Sequence, residues 1–197
     1  YDRADSHDFV WCGYARIGAE GGLDQPWRRD RDVGNSVLLA YYRLARRGGP
    51  PSTLSARRWV LDAVFAASDP EDWRIAADFC VVHGAGLVGA HKYYLAGPLV
   101  QYRVHSANAH HRRPGERLRD YRYRRAVNRF VAALTRASGY DMDRLASTAH
   151  FEFRTIPRPT ARECWEYVRI ALYSNPRYRS RLAVASHVIK AWLRSKR

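Results

Sequence analysis

The stretch DPEDWRIAADFCVVHGAGLVGAHKYYLAGPLVQYRVH, residues 69–105, decides the fold class of this chain. Its first part predicts a helix from Asp69 to Gly84, because aspartate suits an N-cap, a proline follows at the first helical position, and glycine is common just past a helix end. Its second part predicts two short strands, GLVGAHKYYL (86–95) and PLVQYRVH (98–105), separated by the residues AGP. This combination of helix and strands indicates an α/β fold.

The residues upstream extend the same pattern. HDFVWCGYARIG (7–18) is rich in β-branched and aromatic residues, which predicts a strand that ends at its glycine. The glycine-rich, charged segment that follows (19–35) predicts a loop without regular structure. SVLLAYYRLARR (36–47) has helical periodicity and stops at GGPP, and a loop then leads into a short helix within residues 52–65.

The charge divides the chain near residues 110–117, where a proline and a glycine interrupt the sequence. Residues 1–111 hold 13 Lys and Arg against 12 Asp and Glu, whereas residues 112–197 hold 21 against 7. The second region shows amphipathic helical patterns, which cover residues 115–139, 141–156, 160–174 and 175–197. We therefore expect an α/β region (1–111), with a mixed sheet and flanking helices, followed by an all-helical basic region (112–197).

Composition and spacing exclude several classes of protein. No run approaches the roughly 18 apolar residues of a membrane span, and no signal-peptide pattern is present, so we expect a cytoplasmic protein. Cys12, Cys80 and Cys164 are far apart in apolar surroundings, which indicates buried reduced thiols. The histidines lack the spacing of a zinc site, and the glycines lack that of a phosphate-binding loop. A chain that begins with Tyr1 is expected to be part of a longer protein.

The acid at position 72 has two interpretations. Asp72 stands three residues after Asp69, so it can close a capping box and serve only the helix. It also heads the apolar face that continues through Ile75 and Phe79, so its carboxylate can point into a cleft. An acid in a cleft, kept ionised by a helix N-terminus, can act as a general base. The residues alone favour the cap and leave the second interpretation open.

Three stretches follow one another in order: PSTLSARRWVLDAVF (51–65), EDW at the start of a helix, and a strand ending in YRVH about thirty residues later. Together they resemble the second half of a family 2 glycosyltransferase domain of the GT-A type. HDFVWCGYARIG resembles the strand that follows the nucleotide-binding half of such enzymes. The resemblance covers about residues 7–110 and implies a partial GT-A-like mixed sheet. It implies inverting transfer of a sugar from a nucleotide-sugar donor to a hydroxyl of a glycan or lipid-linked acceptor. Asp72 would be the catalytic base, and Glu71 would orient the hydroxyl.

The same resemblance implies further contacts. Trp73, Arg74 and Arg103 would bind substrate, although Arg74 also suits a helix-surface ion pair. A divalent cation, Mn²⁺ or Mg²⁺, is implied, and His105 falls where some GT-A enzymes place a histidine near the metal or diphosphate. A polar residue at a strand edge is the alternative for His105. The nucleotide-binding half, with its Asp-x-Asp metal ligands, is absent, and DRD at 30–32 is interpreted as a solvated charge cluster.

The basic region supports a second hypothesis. Arginine and tyrosine interleave in RLRDYRYRRAVNR (117–129), and such helices can bind phosphate backbones or anionic head groups. The alternative function is therefore a non-catalytic module that binds a polyanion or a membrane surface. No motif for binding RNA or DNA is legible, so nucleic acid is not expected as a partner. For a glycosyltransferase, these helices suit peripheral contact with an anionic inner membrane.

Overall fold

A computed structural model describes residues 6–18, 22–73, 77–104 and 117–196. The strands are β1 (Phe9–Gly18), β2 (Gly22–Asp24), β3 (Arg31–Gly34), β4 (Leu54–Ala56) and β5 (Lys92–Val104). They form a mixed sheet in the order β2–β1–β5–β3, and β4 pairs with the first residues of β1. Strand β1 runs parallel to β5 and antiparallel to β2 and β4, and β3 runs antiparallel to β5.

Helices cover the sheet and form the C-terminal part. They are α1 (Val37–Arg43), α2 (Arg58–Ala66), α3 (Ala77–Leu87), α4 (Arg117–Ala137), α5 (Met142–Ser147), α6 (Ala149–Arg154), α7 (Ala161–Arg169) and α8 (Arg181–Arg194). A π-helical turn (Ile170–Ser174) extends α7, and a 3₁₀ turn (Pro70–Trp73) precedes α3. The expected fold class, a mixed α/β sheet with flanking helices and a helical C-terminal region, is confirmed. None of the described helices has the length and apolar character that crossing a membrane requires.

Strand β5 corrects the prediction of two short strands at 86–95 and 98–105. A single strand continues past the AGP residues because it stays paired with β1 through a register shift at Gly13, whose partner is Pro98. At Gly13 an added Cβ would lie 2.9 Å from the carbonyl oxygen of Gly97. The two strands approach this closely because Gly13 has no side chain.

The segment 19–35 corrects the prediction of a loop without regular structure, since it contributes both β2 and β3. Strand β2 is held to β1 by the hydroxyl of Tyr14, which donates to Asp24 at 2.8 Å. Strand β3 pairs with the outer edge of β5. Polar residues form strands here because β2 pairs with the preceding strand β1 and β3 pairs with the distant strand β5, and propensity does not report such pairing.

The predicted helix from Asp69 to Gly84 begins with a different structure and ends later than expected. The chain first makes the 3₁₀ turn and then forms α3, which continues through Gly84 to Leu87. A Cβ at Gly84 would lie 2.6 Å from Cγ2 of Val64 on α2, so this glycine permits close helix packing and does not end the helix. The chain turns instead at Gly89, whose φ is +78°.

Two hydrophobic clusters hold the fold together, and each combines residues from both sides of the charge boundary near residue 112. The first joins the sheet, α2 and α3 to Val127, Phe130 and Leu134 of α4. The second surrounds Val37–Leu39 of α1 with α5 to α8. The basic helices therefore complete the core of the α/β region.

Candidate functional site

The acidic pair lies in the 3₁₀ turn before α3. Asp69 caps this turn, because its carboxylate accepts from the backbone N–H of Glu71 at 3.0 Å and its carbonyl accepts from that of Asp72 at 3.1 Å. The side chain of Glu71 is exposed, and that of Asp72 is 21% exposed. The turn therefore presents both acids at the protein surface.

Asp72 forms an ion pair across the structure with α4. Nη2 of Arg129 donates to both carboxylate oxygens of Asp72, at 2.6 and 2.7 Å. The guanidinium side chain is 61% exposed, so the pair sits at the edge of solvent. This contact joins residues 57 apart in the chain and was not predicted from the sequence.

The buried side chain of Trp73 packs the turn against the protein interior. Its ring is only 6% exposed, stacks on Phe79, and meets Tyr123 and Phe130 edge to face. Aromatic burial of this kind is a large apolar contribution, and it fixes the backbone of the neighbouring acids. The side chain proposed from the resemblance to bind substrate thus lies in the first hydrophobic cluster.

Among the other predicted site residues, the structure describes Arg103. Arg103 is exposed near the end of β5, opposite Ile17 of β1. Arg74 and His105 lie outside the described residues. The turn therefore contains Glu71, Asp72 and Trp73 together. Substrate binding by Arg103 stays a prediction.

A cavity of about 710 Å³ lies away from the acidic turn, between β1, α1 and α7. Its wall combines two tryptophans with five arginines and two glutamates: Trp11, Trp27, Arg31, Arg43, Arg46, Arg47, Arg162, Glu163 and Glu166. Most of the arginines are paired, because Glu163 bridges Arg31 and Arg47 and Glu166 binds Arg43. The wall is thus largely an ion-pair network that fastens α7 to the α/β region.

Three potential metal ligands meet at the other end of α3. His7, Asp32 and His91 offer ligand atoms that all lie within 4.8 Å of one another. His91 immediately precedes β5, His7 lies two residues before the parallel strand β1, and Asp32 lies on β3. No spacing pattern in the sequence indicates this cluster, and Asp32 belongs to the DRD motif that was interpreted as solvated. That interpretation is wrong for Asp32, which binds His91 at 2.7 Å.

Two basic side chains are buried at the core. Lys92 donates to the carbonyl oxygens of Val82 at 2.8 Å and of Arg47 at 3.3 Å, and burial together with the nearby Arg47 charge lowers its pKa to about 7. His83 is fully buried beside it, and burial followed by the Lys92 charge lowers the pKa of His83 to about 4. Their depth in the core indicates a structural role.

Part of the chain is similar to a known protein. Over 61 residues it is 44% identical to an uncharacterized glycosyltransferase of Nostoc sp. (strain PCC 7120). The aligned stretch makes up 31% of this chain and 18% of the relative's length. No family model and no solved structure matches the chain. The similarity supports a relationship to glycosyltransferases for part of the chain.

Proposed function

We propose that this chain carries the acceptor side of an inverting glycosyltransferase of family 2 and GT-A type, with Asp72 as its catalytic base. The observation that carries the proposal is the position of Asp72. Its side chain is partly exposed to solvent, while the buried ring of Trp73 and the cap of Asp69 hold its backbone in place. A general base needs both accessibility and a fixed position.

The proposed reaction is a single displacement. A carboxylate oxygen of Asp72 takes the proton of an acceptor hydroxyl as that oxygen attacks the anomeric carbon of the donor sugar. The bond from this carbon to the diphosphate oxygen breaks, and the leaving nucleoside diphosphate takes the electron pair. Glu71, exposed beside Asp72, accepts a hydrogen bond from the acceptor and so orients it. The product has the inverted anomeric configuration.

The Arg129 contact leaves room for this role. A carboxylate has about four acceptor positions on its two oxygens, and Arg129 uses one on each. An acceptor hydroxyl can therefore bind Asp72 while the ion pair persists. The guanidinium also keeps the carboxylate pointed along one direction, which favours a defined attack geometry.

The resemblance places the main ligands of the implied divalent cation in the nucleotide-binding half, outside residues 7–110. Within residues 6–18, 22–73, 77–104 and 117–196, the group of three potential ligands is His7, Asp32 and His91. Helix α3, about 16 Å long at 1.5 Å per residue, lies between that cluster and Asp72 along the chain. We therefore derive no step of the proposed reaction from a metal ion.

The test uses the full natural protein that contains these residues. Transfer and hydrolysis are assayed with UDP-, GDP- and dTDP-sugars for wild type, Asp72→Asn and Asp62→Asn. Asp62 is a matched control, since it is an exposed aspartate on α2 that pairs with Arg58. We expect Asp72→Asn to lower kcat by roughly 10²–10⁴-fold and Asp62→Asn to leave it unchanged. Full turnover in folded Asp72→Asn would refute the assignment.

A second candidate, binding to an anionic membrane surface, rests on a separate observation. Arg122, Arg124 and Arg125 are exposed along α4. Such residues are attracted to acidic head groups, and the attraction weakens with salt. Sedimentation with phosphatidylserine vesicles at low salt tests this candidate. Binding that disappears when all three arginines become glutamine supports it, and binding that the triple variant retains excludes this surface.

A further inference from the structure

We propose that His7, Asp32 and His91 form a binding site for a first-row divalent cation, with Zn²⁺ as the natural probe. The three side chains provide two imidazole nitrogens and one carboxylate oxygen. Imidazole-rich sets of this kind suit zinc and late first-row metals better than Mg²⁺ or Ca²⁺, which prefer oxygen ligands. The site is separate from the acidic turn and does not rest on the proposed glycosyltransferase function.

The distances are close to those of a coordinated ion. Nε2 of His7 lies 3.4 Å from Oδ2 of Asp32, and Nε2 of His91 lies 2.7 Å from Oδ1. At metal–ligand bonds of 2.0–2.1 Å, neighbouring ligand atoms of a tetrahedral site lie about 3.3 Å apart. The ligand atoms of all three side chains lie within 4.8 Å of one another, so adjustments of the side chains can bring them into tetrahedral spacing.

Further hydrogen bonds hold the three residues of the cluster in place. Oγ of Ser6 lies 3.1 Å from Nδ1 of His7, which directs Nε2 of that ring towards Asp32. The carboxylate of Asp32 also accepts from the backbone N–H of Gly34 at 2.8 Å. The backbone N–H of His91 donates to Asp8 at 3.0 Å. Partners of this kind orient metal ligands in established sites.

Burial leaves one side of the cluster open. The side chain of His7 is 7% exposed, whereas those of Asp32 and His91 are 25% and 33% exposed. A cation can therefore enter from solvent and keep water in its fourth position. Binding would replace the hydrogen bond between His91 and Asp32 with bonds to the ion. The bound ion would join three segments that are distant in sequence.

Calorimetric titration of the chelator-treated full chain with Zn²⁺ tests the site. The variants are His91→Gln and Asp32→Asn, both partly exposed, and the matched control is His150→Gln. His150 faces His187 with ring centroids 5.0 Å apart, so it belongs to a histidine pair elsewhere in the fold. Co²⁺ absorption in the visible range reports whether imidazole nitrogens bind the ion in wild type.

We expect one Zn²⁺ per chain, at least tenfold weaker binding in His91→Gln and Asp32→Asn, and unchanged binding in His150→Gln. Near-ultraviolet circular dichroism shows whether each variant is folded. If one variant fails to fold, the other still decides the outcome, and the Co²⁺ spectrum of wild type does so independently. Absence of stoichiometric Zn²⁺ binding, or binding that both folded variants retain, overturns the proposal.

Discussion

Nη2 of Arg129 lies 2.6 and 2.7 Å from the two carboxylate oxygens of Asp72, and this contact ties the acidic turn before α3 to the basic helix α4. The contact gives Asp72 a structural partner, so its chemical role must be separated from the role of the pair. Removing either partner breaks the pair equally. Only removal of Asp72 also removes the proposed base.

The Asp72–Arg129 pair is expected to add little stability. Arg129→Met should lower the free energy of unfolding by less than about 1 kcal/mol, because the guanidinium is 61% exposed and water screens the pair. Chemical denaturation measures this change, with Arg122→Met as the control at another exposed arginine of α4. A loss of several kcal/mol would show that the pair is a structural requirement.

Glu163 is expected to be far more important for stability. Its side chain is 9% exposed and accepts from Arg31, from Arg47 at 3.0 Å and from the backbone N–H of Thr160 at 2.8 Å. Glu163→Gln leaves two buried guanidinium groups without full compensation, so we expect a loss of about 3–5 kcal/mol. Glu166→Gln, which breaks the more exposed pair with Arg43, should cost less than about 1 kcal/mol. Equal losses in both variants would contradict this difference.

The same glutamate makes stability depend on pH. Burial raises the pKa of Glu163, but Arg47, the Thr160 N–H and Arg31 together outweigh burial, so its pKa is below the usual value. A carboxyl with a lowered pKa stabilises the folded state above its unfolded pKa, and this stability is lost as the pH falls through the folded pKa. Denaturation of wild type and Glu163→Gln across acidic pH should show a smaller loss in the variant. Parallel pH curves would be inconsistent with this role.

His83 gives a second dependence on pH in a different range. Burial lowers the pKa of His83 in the folded state from the ordinary value of 6.5 to about 4, so the unfolded chain binds a proton first as the pH falls. Stability is therefore lost between pH 6.5 and 4, by about 3 kcal/mol at the lower end. His83→Leu should lose less stability than wild type over this range in urea denaturation. An unchanged slope between these pH values would contradict the burial of a neutral imidazole.

Gly84 is expected to be intolerant of a side chain. Gly84→Ala places a Cβ 2.6 Å from Cγ2 of Val64 and 3.0 Å from the Phe130 ring, so we expect a loss of about 1–3 kcal/mol from overpacking. At Gly22 nothing lies within 4 Å of the added Cβ, so Gly22→Ala is a suitable control. Thermal unfolding compares the two variants. A higher Tm for Gly84→Ala would mean that helix propensity outweighs packing here.

Residue composition and helical periodicity predicted the strands and helices that these local patterns specify. The strand at 7–18 became β1, and the amphipathic patterns after residue 112 became α4 to α8. The strands β2 and β3 were missed because their stability comes from pairing with β1 and β5 and not from their own composition. The glycine expected to end α3 instead allows α2 to pack closely, which is a property of the tertiary structure.

The candidate site was predictable only in part. The acidic turn carries its own sequence signals, the Asp69 cap and the adjacent proline. Its partner Arg129 could not be predicted, because many arginines in α4 offer equivalent charge. The His7–Asp32–His91 cluster has no spacing rule, since the sheet topology alone brings its members together.

The most direct test of Asp72 as the base compares kcat for Asp72→Asn and Arg129→Met in the full natural protein with its nucleotide-sugar donor. We predict that Arg129→Met keeps at least a tenth of wild-type turnover, whereas Asp72→Asn loses roughly 10²–10⁴-fold with both variants folded. Equal turnover in the two variants would contradict the account, because Asp72 would then serve only as the partner of Arg129.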